Sequence, residues 1–290
     1  MTTPKRLLKT WIERQVDCTW LDEQIISLRQ SSSVRQTLFR AVGLVPRKLG
    51  KADLKLTDTD FTNAATSSAG WDPTGYSIDM AARLVLLLEA SQHRELFETT
   101  FDMLWRTADV GEQVAFYRGL PLYPNASHYL WRATDGCRTN IKAVFEAIAH
   151  RNPYPAKHFD EVAFNQLCLK ALFVGSNLYL VQGLDSRLNA ALSRMMTDYA
   201  FERWAASRAI YPELWRSVAS HPDERCISAL NRALASEDRI TATAAALACS
   251  TSQDTAAQHC LAASPSRVQA LLDDKPNWED LAHQFLASQS

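Results

Sequence analysis

Glycine is scarce in this sequence: nine in 290 residues, less than half the roughly 7% of an average chain. The last is Gly183, so residues 184–290 contain none. Tight hairpin turns and phosphate-cradling loops both need glycine for positive φ or close backbone approach. No phosphate-binding Walker loop, no dinucleotide G-x-G-x-x-G and no nucleophile elbow is present. The six cysteines (Cys18, Cys137, Cys168, Cys226, Cys249, Cys260) form no C-x-x-C pair. Most lie inside apolar helical patterns and read as reduced thiols, packed as small hydrophobes in a reducing compartment. Lysine is sparse too, nine among 31 cationic residues, which suits the fixed geometry of arginine pairing or reflects coding bias. A net charge of −1 with both signs interleaved gives no basic stripe, so no nucleic-acid partner is expected. No apolar run, Leu84–Leu88 included, is long enough for a transmembrane segment, and the N-terminus carries no cleavage signature. The expected location is cytoplasmic.

Against these absences stands a periodicity of three and four in apolar residues, with hardly any period-two alternation. The fold class is therefore all-α. Leu7 to Leu28 reads as one amphipathic helix (Leu8, Ile12, Val16, Trp20, Ile25). Serines 31–33 break it and can cap a short helix stopping at Gly43. Residues 46–57 read as a basic irregular link, followed by a helix near 59–66 and the turn-rich segment SSAGWDPTG (67–75). Helices then follow closely: 77–90, 93–107, 109–118, 126–149 with a candidate break near Gly136, 157–174, 187–207 and 211–219. After His221 the pattern shortens to 223–234, 236–249, 252–263, 264–273 and 277–288. Short helices joined by tight turns are written like an irregular HEAT-like right-handed stack of helical hairpins, here around a buried central helix. No flexible linker appears. The chain reads as one continuous domain, softly divided into N-terminal helices (1–75), a central body (76–208) and a C-terminal stack (209–290).

Polar residues at positions that helices would bury concentrate between 110 and 204. Arg138, Lys142, Glu146 and His150 recur every fourth residue, as a ligand-facing stripe or as an ion-pair ladder on a solvent face. Arg151-Asn152-Pro153-Tyr154-Pro155 makes a rigid corner, since Pro153 stops the helix and drives Asn152 out of the α region. The next helix, 157–174, is apolar round its circumference (Phe159, Val162, Phe164, Leu167, Leu169, Leu172, Phe173), the pattern of a buried helix. On it His158, Glu161 and Asn165 share a 60° sector, and Gln166 and Lys170 form a second strip. Buried polar groups require partners. The candidate ligand-binding set is thus Arg138, Glu146, His150, Arg151, Asn152, His158, Glu161, Asn165, Gln166 and Lys170, with a structural polar network as the competing reading. No catalytic residue is selected. Cys168 and Cys137 sit where no thiolate would be stabilised, and the tryptophans read as core. A metal site built from Glu146, His150 and His158 is the alternative, although the sequence has neither the Glu-x-x-His pair nor the H-E-x-x-H helix. No cofactor is implied.

GEQVAFYRGLPLYP (111–124), GCRTNIKAVFEAIAHRNPYPAKHFDEVAFNQLCLKALFVGS (136–176), QGLDSRLN (182–189) and DYAFERWAA (198–206) resemble the EboA family, as more loosely does IDMAARLVLLLEA (78–90). The resemblance covers roughly 76–216. It implies a metabolite traffic protein encoded in a secondary-metabolite gene cluster of bacteria and algae, including export of a precursor where sunscreen pigments are made. The implied partners are other proteins of that cluster, among them hydrolase-like and isomerase-like barrels and a prenyltransferase-like membrane protein, or a small-molecule metabolite. The family has no established catalytic residues to carry over. Together these readings describe a non-enzymatic trafficking or scaffold protein, with a metal-dependent enzyme as the alternative.

Overall fold

The computed structural model describes residues 2–31 and 33–289. Ser32, one of the three serines expected to break the first helical stretch, lies outside them. Every regular element is helical; among the described residues β pairing is confined to one isolated antiparallel bridge, Asp53 to Ser77. No helix among them is long and apolar enough to cross a membrane. The chain condenses into two compact units that meet in sequence between Phe159 and Asp160. That division falls inside the segment read as helix 157–174 and at neither soft boundary, 75/76 nor 208/209.

The N-terminal unit is organised around helix Ile78–Ala90, of whose thirteen residues Met80 alone is not buried. Helices Pro4–Glu13, Thr19–Gln30, Val34–Leu49 and Val110–Arg118 pack against it. Enclosure on all sides obliges its charges to be neutralised in place. Arg83 donates to Asp79 one turn earlier at 2.5 Å. Lys5 and Arg29, from two of the surrounding helices, converge on Glu89 at 2.9 Å each. Burial pushes the Glu89 carboxyl up, and these two cations outweigh it, leaving it below its ordinary value.

Among the boundaries that differ from the sequence reading, two have clear local reasons. The first helix ends at Glu13 and a second begins at Thr19, because Asp17 accepts from both the backbone N–H and the hydroxyl of Thr19 and so founds a new helix start. Helix Val34–Leu49 runs through Gly43 and Pro46 and stops at Gly50, whose φ of +82° lies in the region that favours glycine.

In the C-terminal unit, helix Glu161–Phe173 packs on Ala190–Ala205. From there Leu214–Val218, Glu224–Leu234, Arg239–Thr251 and Thr255–Ala262 pack against their neighbours and next-nearest neighbours in chain order. Aspartates open three of these helices, their carboxylates accepting from the backbone two or three residues on: Asp223, Asp238 and Asp254. The expected central buried helix 157–174 is corrected. It is two helices, Tyr154–His158 and Glu161–Phe173, separated because Asp160 caps the second by accepting from Ala163 N. The second is buried on one face only: Val162 is 70% and Phe173 75% exposed. The helix buried all round is Ile78–Ala90.

Candidate functional site

The ten candidate residues divide between the units, six in the N-terminal unit and four in the C-terminal one. Within the N-terminal unit the rigid corner is a fastening. Arg118, at the end of helix Val110–Arg118, reaches across to donate to the carbonyls of His150 (2.8 Å), Asp72 (2.8 Å) and Thr74 (2.9 Å). Its guanidinium lies over the Tyr76 ring at 5.0 Å, and the Tyr76 hydroxyl donates to Arg118 O. Arg151 adopts φ +50°, a left-handed conformation that an arginine takes only when its neighbours determine it. They do. Asn152 donates both amide N–H groups, to Tyr117 O and Ala147 O, and accepts from Tyr154 N. Arg151 pairs with Asp72 at 3.2 Å, and Tyr154 O–H bonds Ala126 O.

His150 is buried at the heart of this corner. Burial pushes its imidazole down to about 4, against the opposing pull of Glu146. Its Nε2 is buried with no hydrogen-bond partner among the described residues. Glu146 is half-buried with Lys142 at 3.7 Å, the ladder pairing, while Arg138 is exposed. His158 lies against the Tyr154 ring at 4.4 Å, its pKa lowered by burial and by Lys157. Among the described residues no three or more His, Cys, Asp or Glu side chains come together as metal ligands, so Glu146, His150 and His158 are not assembled as the alternative required.

On helix Glu161–Phe173, Glu161 and Gln166 are exposed and Lys170 half-buried. Asn165 is buried and exchanges two amide hydrogen bonds with Asn189, at 3.0 and 3.1 Å. Asn189 in turn caps helix Ala190–Ala205. Burial pushes the Cys168 thiol up to about 12, which leaves it a packed side chain and a poor nucleophile.

Two features lay outside the sequence reading. Glu213 is 1% exposed, and its carboxylate accepts the backbone N–H groups of Leu178, at 2.9 Å, and Tyr179. Burial pushes its pKa up to about 7, opposed by those two N–H groups and by Arg216. The local signal was present: a charged residue flanked by Tyr211, Pro212, Leu214 and Trp215.

The second feature is a cleft of about 530 Å³ in the C-terminal unit. Gly183, at φ +76°, turns the chain into the short helix Leu184–Arg187, which presents Asp185. Arg216, on Leu214–Val218, grips Asp185 with a two-pronged fork, Nε to Oδ1 at 2.6 Å and Nη2 to Oδ2. The guanidinium stands 5.8 Å from the ring centroid of Trp278, the first residue of the last helix. His221, Thr251 and Gln253 complete the polar rim, and Leu188 and Ala248 the apolar part. Ser252 donates to Ala219 O at 2.6 Å and so ties the two rims together. Arginine carries five N–H donors. Two are bound to Asp185, and the other three have no acceptor among the described residues.

No curated protein and no solved structure matches this chain. The family described as metabolite traffic protein EboA matches residues 4–219. The match takes in the N-terminal helices, which the sequence motifs had left outside the resemblance, and stops short of the C-terminal helices from Glu224 onward. Covering well over half of the chain, it makes this protein a member of the EboA family of metabolite traffic proteins.

Proposed function

We propose that this protein is a non-catalytic, cytoplasmic metabolite-handling component of a secondary-metabolite gene cluster, and that it holds a polar small molecule in the cleft of its C-terminal unit. The HEAT-like stacking of that unit belongs to the same reading, with the cleft lying among helix ends. The observation that carries it is the state of the donors. In the corner, three of the five Arg118 N–H groups and both of those of Asn152 are directed into the fold's own carbonyls. At the cleft, Arg216 keeps three N–H groups without an acceptor, beside a tryptophan face and an apolar patch. A concave surface with a few converging polar groups on apolar walls is how small-molecule sites are built. In this reading Arg138, Glu146, His150, Arg151, Asn152 and His158, with Glu161, Asn165, Gln166 and Lys170, frame the protein.

Saturation-transfer NMR on the full chain, with a panel of anionic, cationic and neutral polar metabolites, tests the reading. The indole N–H of Trp278, assigned through Trp278→Phe, reports on the cleft. At least one panel member should transfer saturation and shift that resonance; a panel that leaves Trp278 unmoved overturns the reading. A protein partner is the second reading, favoured by one observation. Val162 and Phe173, eleven residues apart and so on one side of their helix, are both largely exposed.

A further inference from the structure

The charge layout of the cleft narrows what it takes, and this step rests on the cleft reading above. Three of its lining residues carry ionisable side chains: Asp185, Arg216 and His221. The carboxylate of Asp185 has both oxygens engaged by one guanidinium, so it offers little to a cationic ligand. The guanidinium is only partly used and the His221 imidazole lies at the rim, so the hydrogen-bonding capacity left over favours an acceptor. The non-polar lining is the Trp278 indole with Leu188 and Ala248, suited to a flat apolar body.

The two partners of the ion pair are not equivalent. The Arg216 side chain is 18% exposed and that of Asp185 64%. Arg216 projects from a helix whose Leu214, Trp215, Ser217 and Val218 are buried, and it is stacked near Trp278. Asp185 sits on a four-residue helix entered through a left-handed glycine. The arginine is therefore the fixed member, and the aspartate is the one that solvent can accommodate elsewhere.

We propose that the cleft binds a planar anionic metabolite, an aromatic carboxylate in shape and charge, and that Asp185 is a built-in competitor that occupies the Arg216 fork until the ligand's carboxylate replaces it. The bound ligand lays its ring along Trp278, and its carboxylate takes the bidentate geometry that Asp185 holds in its absence. Such a device makes affinity for a carboxylate rise when the aspartate is removed. An ion pair that served only to hold the fold would do the opposite.

The experiment uses 2-naphthoate and its neutral isostere 2-naphthamide, titrated calorimetrically into the full chain, with Trp278 followed by NMR. Naphthoate should bind at Trp278 at least about tenfold more tightly than naphthamide, because a charge-assisted fork is lost with the amide. Asp185→Asn should tighten naphthoate by about two- to fivefold, the scale of an exposed ion pair. Arg216→Gln should weaken it at least about tenfold, and Arg216→Lys, which keeps the charge and loses the fork, should also weaken it. Thermal melts establish that each variant is folded, and Arg216→Lys decides the point should Arg216→Gln fail to fold. Equal binding of the two probes at Trp278 overturns the anion preference while leaving the cleft reading intact. Weaker naphthoate binding by Asp185→Asn overturns the competitor. No binding of naphthoate to wild type or to Asp185→Asn overturns the whole inference, and the neutral members of the metabolite panel decide the parent reading separately.

Discussion

The two units bury charge in opposite ways. The N-terminal unit closes its buried ions on one another or on carbonyls: Asp79 with Arg83, Glu89 with Lys5 and Arg29, Arg118 with three backbone oxygens. The C-terminal unit buries Glu213 against two backbone N–H groups with no cation hydrogen-bonded to it among the described residues, and three residues later turns Arg216 outward to a cleft. The same residue types therefore mean different things. Where donors are aimed at internal carbonyls, as at Arg118 and Asn152, a polar cluster fixes the backbone; where donors remain over at a concave surface, it can recognise something.

Deleting the N-terminal fastening should have the largest effect. Arg118→Ala strands three carbonyls and removes the cation over Tyr76, and should lower unfolding free energy by about 3–4 kcal/mol. Urea denaturation measures it, and a loss under about 1 kcal/mol would mean that the corner holds itself without Arg118.

Next comes pH, where the two units should pull against each other. His150, titrating near 4 when folded against an ordinary 6.5, binds fewer protons folded than unfolded. Its contribution is complete above 6.5 and is lost as pH falls towards 4. Glu213, near 7 when folded against an ordinary 4.5, binds more protons folded than unfolded. Its contribution is complete below 4.5 and is lost as pH rises towards 7. Each amounts to about 3 kcal/mol at most, and between 4.5 and 6.5 the slopes oppose. Glu213→Gln should expose a stability that climbs with pH over that range, and His150→Gln one that declines; chemical melts at pH 4.5, 5.5 and 6.5 read both. Unchanged slopes in either variant would remove that group from the account.

A packing test follows. At Gly119 an added Cβ would lie 2.3 Å from both Leu84 Cδ2 and Tyr123 Oη, inside the N-terminal core. Gly119→Ala should cost about 2 kcal/mol by thermal melt, and a neutral result would show that core to be loose. The smallest effect belongs to the other unit: Val162→Ser, on the open side of its helix, should stay within about 0.5 kcal/mol of wild type. A larger loss would restore the all-round burial that the sequence pattern suggests.

What could be read in advance was what neighbours in sequence determine. The all-helical class, the short helices after His221 and the corner forced by Pro153 all depend on residues within a few positions of one another. The interiors were misjudged because burial depends on what packs from elsewhere. The apolar circumference of 157–174 suggested the central helix, whereas four distant helices enclose Ile78–Ala90. The polar set was legible as a cluster needing partners, yet whether those partners were internal carbonyls or a ligand was not, since Asp72, Thr74 and Tyr117 reach it only through the fold. The cleft left no local trace: Asp185, Arg216, His221, Gln253 and Trp278 span almost a hundred positions and share no motif.

If the corner is frame and the cleft is site, substitutions in the two should affect ligand binding differently. Calorimetric titration of 2-naphthoate into wild type, His158→Ala and Arg216→Gln, each shown folded by its melt, tests it most directly. His158→Ala should bind within about twofold of wild type, while Arg216→Gln should lose at least about tenfold. The reverse order, with His158 controlling affinity and Arg216 dispensable, would contradict it.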